Sequence, residues 1–306
     1  MIDYSKVMVV TLDEKSVLYS SEAIKLGADV NKYFKKRNTF VKVLNHFDKY
    51  AGTDFSKVAF GDWTNRLKNI ELLILNTHFF SKPVIKYVNK KYPNIRIIVW
   101  YSNPVHSETS PSFFKDLNCE LWTFDKKDAE VYGMHLNNQF IDKDKLNITS
   151  YDSKYKYDIC FIGLDKNRLD YLLKLEKTFI DQGLKPMIYV VDSSKNSSSS
   201  YEYKEKLNYQ ELINYEGNSK AILDIVQHQQ YGLSLRPIEA MFLKVKLITN
   251  NEAIKEHDFY NDENFFLLTE RSVHELVDFI HSPYKELSEE ILNNYTFKGW
   301  LDNFYK

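Results

Sequence analysis

GLSLRPIEAMFLKVKLITN, residues 232–250, runs from a turn into a small apolar helix and then into a β-branched strand. A helix feeding directly into such a strand is one unit of a parallel α/β sheet. Packing accounts for the strand and for the apolar helix face. It does not account for the junction. Proline at 237 suits a first helical position, where its missing N–H would be unpaired anyway. That places Arg236 at the N-cap, where Ser, Thr, Asp or Asn is favoured, and sets its cation against the helix dipole. A bound anion would reverse both penalties, because open helix N–H groups and a guanidinium together suit a diphosphate. Glu239 falls in the first turn and has the oxygens to accept from the two vicinal hydroxyls of a ribose. The plainer reading makes Arg236 a surface side chain and Glu239 a dipole-complementing one. Spacing alone leaves both readings open.

Outward from this stretch the alternation of strand and helix recurs. YDICFIG (157–163) reads as a strand ending in glycine, and NRLDYLLKLEKTFIDQG (167–183) as an amphipathic helix closing at Gly183. MIYVVD (187–192) and FFLL (265–268) read as strands, SKAILDIVQ (219–227) as a helix, and the serine-rich SSKNSSSS (193–200) as a loop. In the first half, KVMVVT (6–11), ELLILNT (71–77), IRIIVWYS (95–102) and CELWTF (119–124) read as strands. Their continuous apolar runs suit a parallel sheet covered on both faces. SSEAIKLGADVNKYFKK (20–36) and the region around 82–92 read as helices. A shorter one lies in DKKDAEVYG, with Asp125 as cap and Gly133 as terminator. The polar TSYDSKYKYD (149–158) is the expected linker. The pattern predicts two Rossmann-like, doubly wound α/β domains facing across a cleft. The expected boundaries are 1–150 for the first domain, 151–283 for the second, and 284–306 for a C-terminal helix anchored by Trp300 and Phe304.

A chain of 306 residues is ample for two cores, and 43% apolar with 27% charged residues is ordinary globular composition. A net charge of −1 removes the bulk electrostatic case for nucleic acid as a partner. Cys119 and Cys160 stand far apart in apolar runs and suggest buried thiols rather than a disulfide or zinc site. The opening MIDYSKVMVVTLDE has no signal-peptide pattern and no window is apolar enough to span a membrane, so a cytoplasmic protein is expected.

In open α/β sheets, ligands gather beyond the carboxyl ends of the strands. Gly163, followed by LDKNR, offers a close-approach turn with Lys166 and Arg168 as cations for a phosphate. The same residues also suit an ordinary strand-to-helix turn. Neither a G-x-G-x-x-G nor a G-x-x-x-x-G-K-[ST] pattern occurs, so the common dinucleotide and P-loop readings fall away. Asp13 after the first strand is a candidate general base, and His106 in WYSNPVH is a second candidate by position. Each has a plainer reading, as a turn residue and as a satisfied surface histidine. Asp142-Lys143-Asp144 has the outline of a D-x-D metal motif, but its lysine-rich surroundings favour a solvated turn. The eight histidines show no zinc spacing, and no metal is expected.

GLSLRPIEAMFLKVKLIT resembles the donor-binding segment of two-domain GT-B glycosyltransferases, roughly G-L/F-x-L-x-x-x-E-A-M/L-x-x-G-K-P-V-I. With YDICFIGLDKNR, SKAILDIVQHQQYGLSLRPIEA, KLITNN and LWTFDKKDAEVYG, the chain is similar to bacterial capsule and lipopolysaccharide biosynthesis glycosyltransferases. The resemblance implies a nucleotide-diphosphate sugar as donor substrate, no further cofactor, and a glycan or lipid-linked acceptor. A lipid-linked acceptor implies peripheral association with the inner membrane face, though no long basic amphipathic helix is present. It makes Glu239 the ribose contact, Arg236, Lys166 and Arg168 the diphosphate ligands, and Gly163 and Gly232 the glycines of the donor site. It also implies that the C-terminal helix over 284–306 crosses back to pack toward the first domain, which suits the aromatic tail around Trp300. There are two departures. Tyr231 stands where many retaining members carry a second glutamate, and Lys244 stands where the pattern has glycine. Stereochemistry therefore stays open. So do two other readings: a GT-B-like epimerase or hydrolase of sugar nucleotides, and a non-catalytic sugar-nucleotide-binding subunit.

Overall fold

A computed structural model describes residues 2–12, 21–34, 44, 59–146, 155–193, 201–226 and 232–306. The chain divides into two compact units, one of residues 1–142 with 296–306, the other of residues 143–295. In chain order the first contains β1 (Val7–Thr11), α1 (Ser21–Leu26), β2 (Asp29–Lys32), β3 (Leu72–Asn76), α2 (Ser81–Lys91), β4 (Arg96–Tyr101), β5 (Glu120–Thr123), α3 (Lys126–Tyr132) and β6 (His135–Leu136). The second contains β7 (Tyr157–Leu164), α4 (Leu169–Asp181), β8 (Pro186–Val191), α5 (Tyr209–Gly217), β9 (Ser219–Asp224), α6 (Arg236–Leu243), β10 (Lys246–Thr249), β11 (Phe265–Leu267), α7 (Leu276–His281) and α8 (Glu289–Asn294). Helix α9 (Phe297–Asn303) then returns to the first unit.

Among the described residues the first sheet has six strands in the order β2-β1-β3-β4-β5-β6, and the second has five in the order β11-β10-β9-β7-β8. All these pairings are parallel. The apolar runs follow from this. Along β1 and β3, Met8, Val10, Leu73 and Leu75 enter one core cluster, while Val7, Val9, Leu72 and Ile74 enter another. Alternate side chains point to opposite faces, so both faces of the first sheet are covered, and successive positions Val7–Val10 and Leu72–Leu75 are all apolar. Helix α9 supplies Phe297, Trp300, Leu301 and Phe304 to the second of these clusters. The indole of Trp300 meets Trp100 edge-on at 5.5 Å, and Phe304 meets Trp122 at 4.9 Å. Thr296 caps α9 by accepting from the N–H of Gly299, and Glu22 accepts from the N–H of Phe297.

Three expected elements differ. The helix expected over 20–36 stops at Leu26, where Gly27 takes a left-handed φ of +86°, and Asp29–Lys32 instead pair with Met8–Thr11 as β2. Residues 35 and 36 lie outside the described residues. The helix expected over 219–227 is β9, paired with β10 on one side and β7 on the other. A short apolar run is equally compatible with a buried strand and a buried helix; pairing decides it. Strand β7 begins at Tyr157, inside the expected linker, and runs through Gly163, which pairs with Val190, rather than ending there.

The expected helix at 125–133 forms as α3, with the Asp125 carboxylate accepting from the N–H groups of Lys127 and Asp128 and Gly133 left-handed at φ +64°. Helix α6 likewise leads into β10, but through Lys244 at φ +55°. This is the position where the family pattern has glycine, and here a residue with a Cβ occupies the left-handed region.

Candidate anion-binding site

The carboxyl ends of β7, β8 and β9 open onto a cavity of about 330 Å³ within the second unit. Its polar lining is Lys166, Arg168, Lys206, Asp224, Ser234 and Arg236; Val191, Leu207, Leu212 and Ile225 form an apolar wall, and Gly163 lies between. Three residues expected to hold phosphate, and the glycine expected beside them, are thus brought together.

The turn after β7 is built without glycine. Lys166 and Asn167 have φ of +48° and +63°. Asp165 holds the turn through Oδ1, which accepts from the N–H groups of Arg168 at 3.0 Å and Leu169 at 2.9 Å. Its Oδ2 accepts from the hydroxyl of Tyr203 at 2.7 Å. A carboxylate of the turn itself thus already engages the N–H of Leu169, the first residue of α4. An anion in the cavity would be met by side-chain cations instead. The Arg168 guanidinium donates to the carbonyls of Leu164 and Ile225.

Arg236 sits one position further into its helix than expected. It is the first residue of α6, and Leu235 holds the cap position. Ser234 Oγ accepts from the N–H of Arg236 at 3.3 Å, and the carbonyl of Leu235 accepts from Ile238 and Glu239 at 3.0 and 2.9 Å. The open N–H groups expected at this helix start are therefore already engaged at Arg236, Ile238 and Glu239. What the helix start offers the cavity is the guanidinium. Its Nη1 pairs with Asp224 Oδ1 at 3.4 Å, and its Nη2 donates to the carbonyl of Ile162. Its Nε is buried with no partner among the described residues.

Gly163 is needed for space rather than for φ. A Cβ there would lie 2.9 Å from Nη2 of Arg236 and 3.3 Å from Nη2 of Arg168. Both guanidiniums also lie over the Phe161 ring, at 5.2 Å for Arg168 and 5.4 Å for Arg236. The close approach permitted by the missing side chain is made by the cations.

Crowding leaves an electrostatic mark. Burial, then the charges of Arg168 and Arg236, hold the Lys166 ammonium below its ordinary range. Burial and the Arg236 charge push Arg168 down to about 10. Cations gathered this way repel one another and are under-solvated, and a bound polyanion relieves both costs. Among the described residues the only carboxylate lining the cavity is Asp224, 1% exposed, whose Oδ1 also accepts from Ser234 Oγ at 3.0 Å.

Glu239 and Gly232 are not among the cavity-lining residues. Both are buried, and Glu239 Oε1 accepts from the hydroxyl of Tyr209 at 2.9 Å. Near it Glu216 is fully buried, and neither of its carboxyl oxygens has a partner among the described residues. Burial and then the charge of Glu239 push the Glu216 carboxyl well up. Burial also raises Glu239, against the pull of Arg236.

The remaining candidates lie elsewhere. His106 is exposed on a single turn, Val105–Ser107, in the first unit. Asp13 and Tyr231 fall outside the described residues. Asp142 is fully buried rather than solvated, because its Oδ2 accepts from the N–H of Ser21 at the start of α1. Among the described residues no group of three His, Cys, Asp or Glu is placed to hold a metal ion. Nor is any described helix long and apolar enough to cross a membrane. Sequence reasoning missed Asp224 and Ser234. A lone carboxylate closing the apolar run AIL was the available signal, hidden by reading 219–227 as helix.

No protein-family model matches the sequence, and no curated protein sequence matches it. Solved structures do match in fold. AviGT4, a glycosyltransferase involved in avilamycin A biosynthesis, superposes with a TM-score of 0.58 at 10% identity, covering 98% of this chain and 96% of that one. Sucrose-phosphate synthase from Thermosynechococcus elongatus gives 0.58 at 9% identity over 98% of each chain. The catalytic domain of starch synthase IV from Arabidopsis thaliana, bound to ADP and acarbose, gives 0.58 at 8% identity over 98% and 97%. The chain therefore has the fold of GT-B glycosyltransferases, two α/β units each built on a parallel sheet.

Proposed function

We propose that the protein is a glycosyltransferase that takes a sugar from a nucleotide-diphosphate donor and passes it to a glycan or lipid-linked acceptor in surface polysaccharide synthesis. The observation that carries this reading is the convergence of Lys166, Arg168 and Arg236 on one cavity at Gly163, in a chain with the GT-B fold. The starch synthase domain of like fold holds ADP, and a nucleoside diphosphate is the ligand class proposed here.

The chemistry asked of these residues is electrostatic. As the bond from sugar to phosphate breaks, negative charge grows on the leaving diphosphate. Fixed cations in a partly dry cavity stabilise that charge with little reorganisation, and the reading needs no metal. The apolar wall of Val191, Leu207, Leu212 and Ile225 would take the nucleoside. Glu239 as the ribose contact, Gly232 as a donor-site glycine, and Asp13 and His106 as bases toward the acceptor remain part of the proposal. For a lipid-linked acceptor it extends to a cytoplasmic protein held peripherally at a membrane.

Calorimetric titration of the full chain with UDP-, GDP-, ADP- and dTDP-sugars tests the donor site. Product analysis against glycan and lipid-linked acceptors tests transfer. Absence of binding by any of the four defeats the reading. Binding without transfer, or donor turnover without acceptor, moves it to a binding subunit or to an epimerase or hydrolase. Tyr231, in place of a family glutamate, is the feature that favours the binding subunit.

A further inference from the structure

Four cationic residues, Lys166, Arg168, Lys206 and Arg236, line the cavity and are ample for a diphosphate, so the carboxylate among them needs a reason. Asp224 closes β9, is 1% exposed and lines the same cavity as Lys166, Arg168 and Arg236. It is anchored on three sides. Ser234 Oγ donates to Oδ1 at 3.0 Å, Arg236 Nη1 lies 3.4 Å from the same oxygen, and Thr249 Oγ1 donates to Oδ2 at 3.4 Å. Ser234 Oγ in turn accepts from the N–H of Arg236. The carboxylate therefore positions both the side chain and the first turn of the helix that carries Arg236. A neutral amide would still accept from Ser234 through its oxygen and could donate to Thr249 Oγ1 through its NH2. A fixed negative charge inside an anion site is the costly choice, because it repels the ligand at short range in a medium of reduced dielectric.

Resting on the glycosyl-transfer reading, we propose that Asp224 is a positioning residue for Arg236 whose charge sets the preference of the cavity between intact donor and spent nucleoside diphosphate. A sugar nucleotide carries one negative charge on each phosphate. When C1 bonds to the acceptor oxygen and its bond to the phosphate oxygen breaks, the electron pair stays with the phosphate, the acceptor's proton passes to solvent, and the nucleoside diphosphate carries one charge more. Four cations without a counter-charge would hold that product more tightly than the donor and slow its release. Asp224 penalises the more negative species. It also takes back part of the stabilisation of the transition state, a cost kept partial because the cations outnumber it.

The test is the ratio of two dissociation constants, product over donor, measured by calorimetry for UDP, ADP, GDP and dTDP and for UDP-glucose, ADP-glucose, GDP-mannose and dTDP-glucose. Asp224→Asn keeps an acceptor for Ser234 and removes the charge. It is expected to tighten the diphosphate roughly tenfold more than the sugar diphosphate. Asp224→Glu, which keeps the charge, is expected to weaken both ligands while leaving their ratio near that of the unaltered protein. Asp224→Ser replaces the asparagine variant should that one not fold, with the same direction expected. Equal changes for product and donor, or a ratio moved the other way, overturn the role of Asp224 and leave the transferase reading standing. Failure of the unaltered protein to bind any of the eight compounds overturns both.

Discussion

Nη2 of Arg236 lies 2.9 Å from the position that a Cβ on residue 163 would occupy, so the glycine in β7 and the arginine on α6 share one space. Gly163→Ala must push Arg236 aside, and Arg168 with it. Residue 163 has no left-handed backbone, so the strand itself tolerates alanine. We expect affinity for a nucleoside diphosphate to fall about tenfold or more, with stability lowered by only about 1 kcal/mol. Calorimetry together with urea denaturation separates the two effects.

Arg236→Ala and Arg168→Ala should each weaken diphosphate binding by about 1.5–3 kcal/mol, the usual value of a charge-assisted hydrogen bond. Arg236→Ala also leaves Asp224 buried without its ion-pair partner, and so should be the more destabilising of the two. Melting curves with and without ligand would show this order. Equal, negligible losses of binding would remove the anion site.

Binding should weaken on the alkaline side sooner than for a site with an ordinary lysine. Burial and two neighbouring guanidiniums hold Lys166 below its usual 10.5, so its proton is lost earlier as pH rises, and with it a cation that binds the anion. A bound diphosphate pulls that proton back, so binding takes up protons in this window. Titrations in two buffers of different ionisation heat, repeated in Lys166→Met, would measure the uptake and its loss.

Glu216 should make the protein less stable as pH rises from the acid side. Its carboxyl is pushed well above the usual 4.5, so the native state binds the proton more tightly than the unfolded chain does. That stabilisation is complete below the unfolded value and is lost as pH climbs through the folded one. Glu216→Gln keeps the shape and cannot ionise. It should flatten the pH dependence of urea unfolding and gain about 1–2 kcal/mol over the unaltered protein at pH 8.

Lys244 ends α6 in a left-handed conformation, φ +55°, which costs a residue with a Cβ about 1 kcal/mol relative to glycine. Its ion pair with Glu286 is exposed on both sides and returns little. Lys244→Gly is expected to raise the melting temperature by a few degrees. A fall would show that the lysine stem is packed to more effect than its exposure suggests.

The stretch 232–250 and its flanks were legible in particular ways. Apolar runs bounded by polar or turn residues gave β1, β3, β4, β5 and β7 at nearly the right places, and Asp125 with Gly133 gave α3. Runs without such punctuation were not separable: AILD could bury itself as helix or strand, and only pairing with Lys246–Thr249 and Tyr157–Cys160 decides it. That one misreading concealed Asp224. Charge type and position after a strand were enough to find Lys166, Arg168 and Arg236. They could not show that Ser234 and the Leu235 carbonyl already engage the N–H groups of the helix start, a local matter of where the helix begins. Nor could they show that Glu239 faces Tyr209, which depends on how α5 packs on α6 and is encoded in no local pattern.

Residues 296–306 belong to the unit formed by residues 1–142, and Trp300 fills the same cluster as Trp100 and Phe140. That core therefore cannot close during translation until the whole of 143–295 has been made. The first unit must wait at the ribosome with an aromatic face open, while the second unit, continuous in sequence, is free to fold ahead of it. Cutting the chain between the units would yield one complete domain and one lacking its final layer.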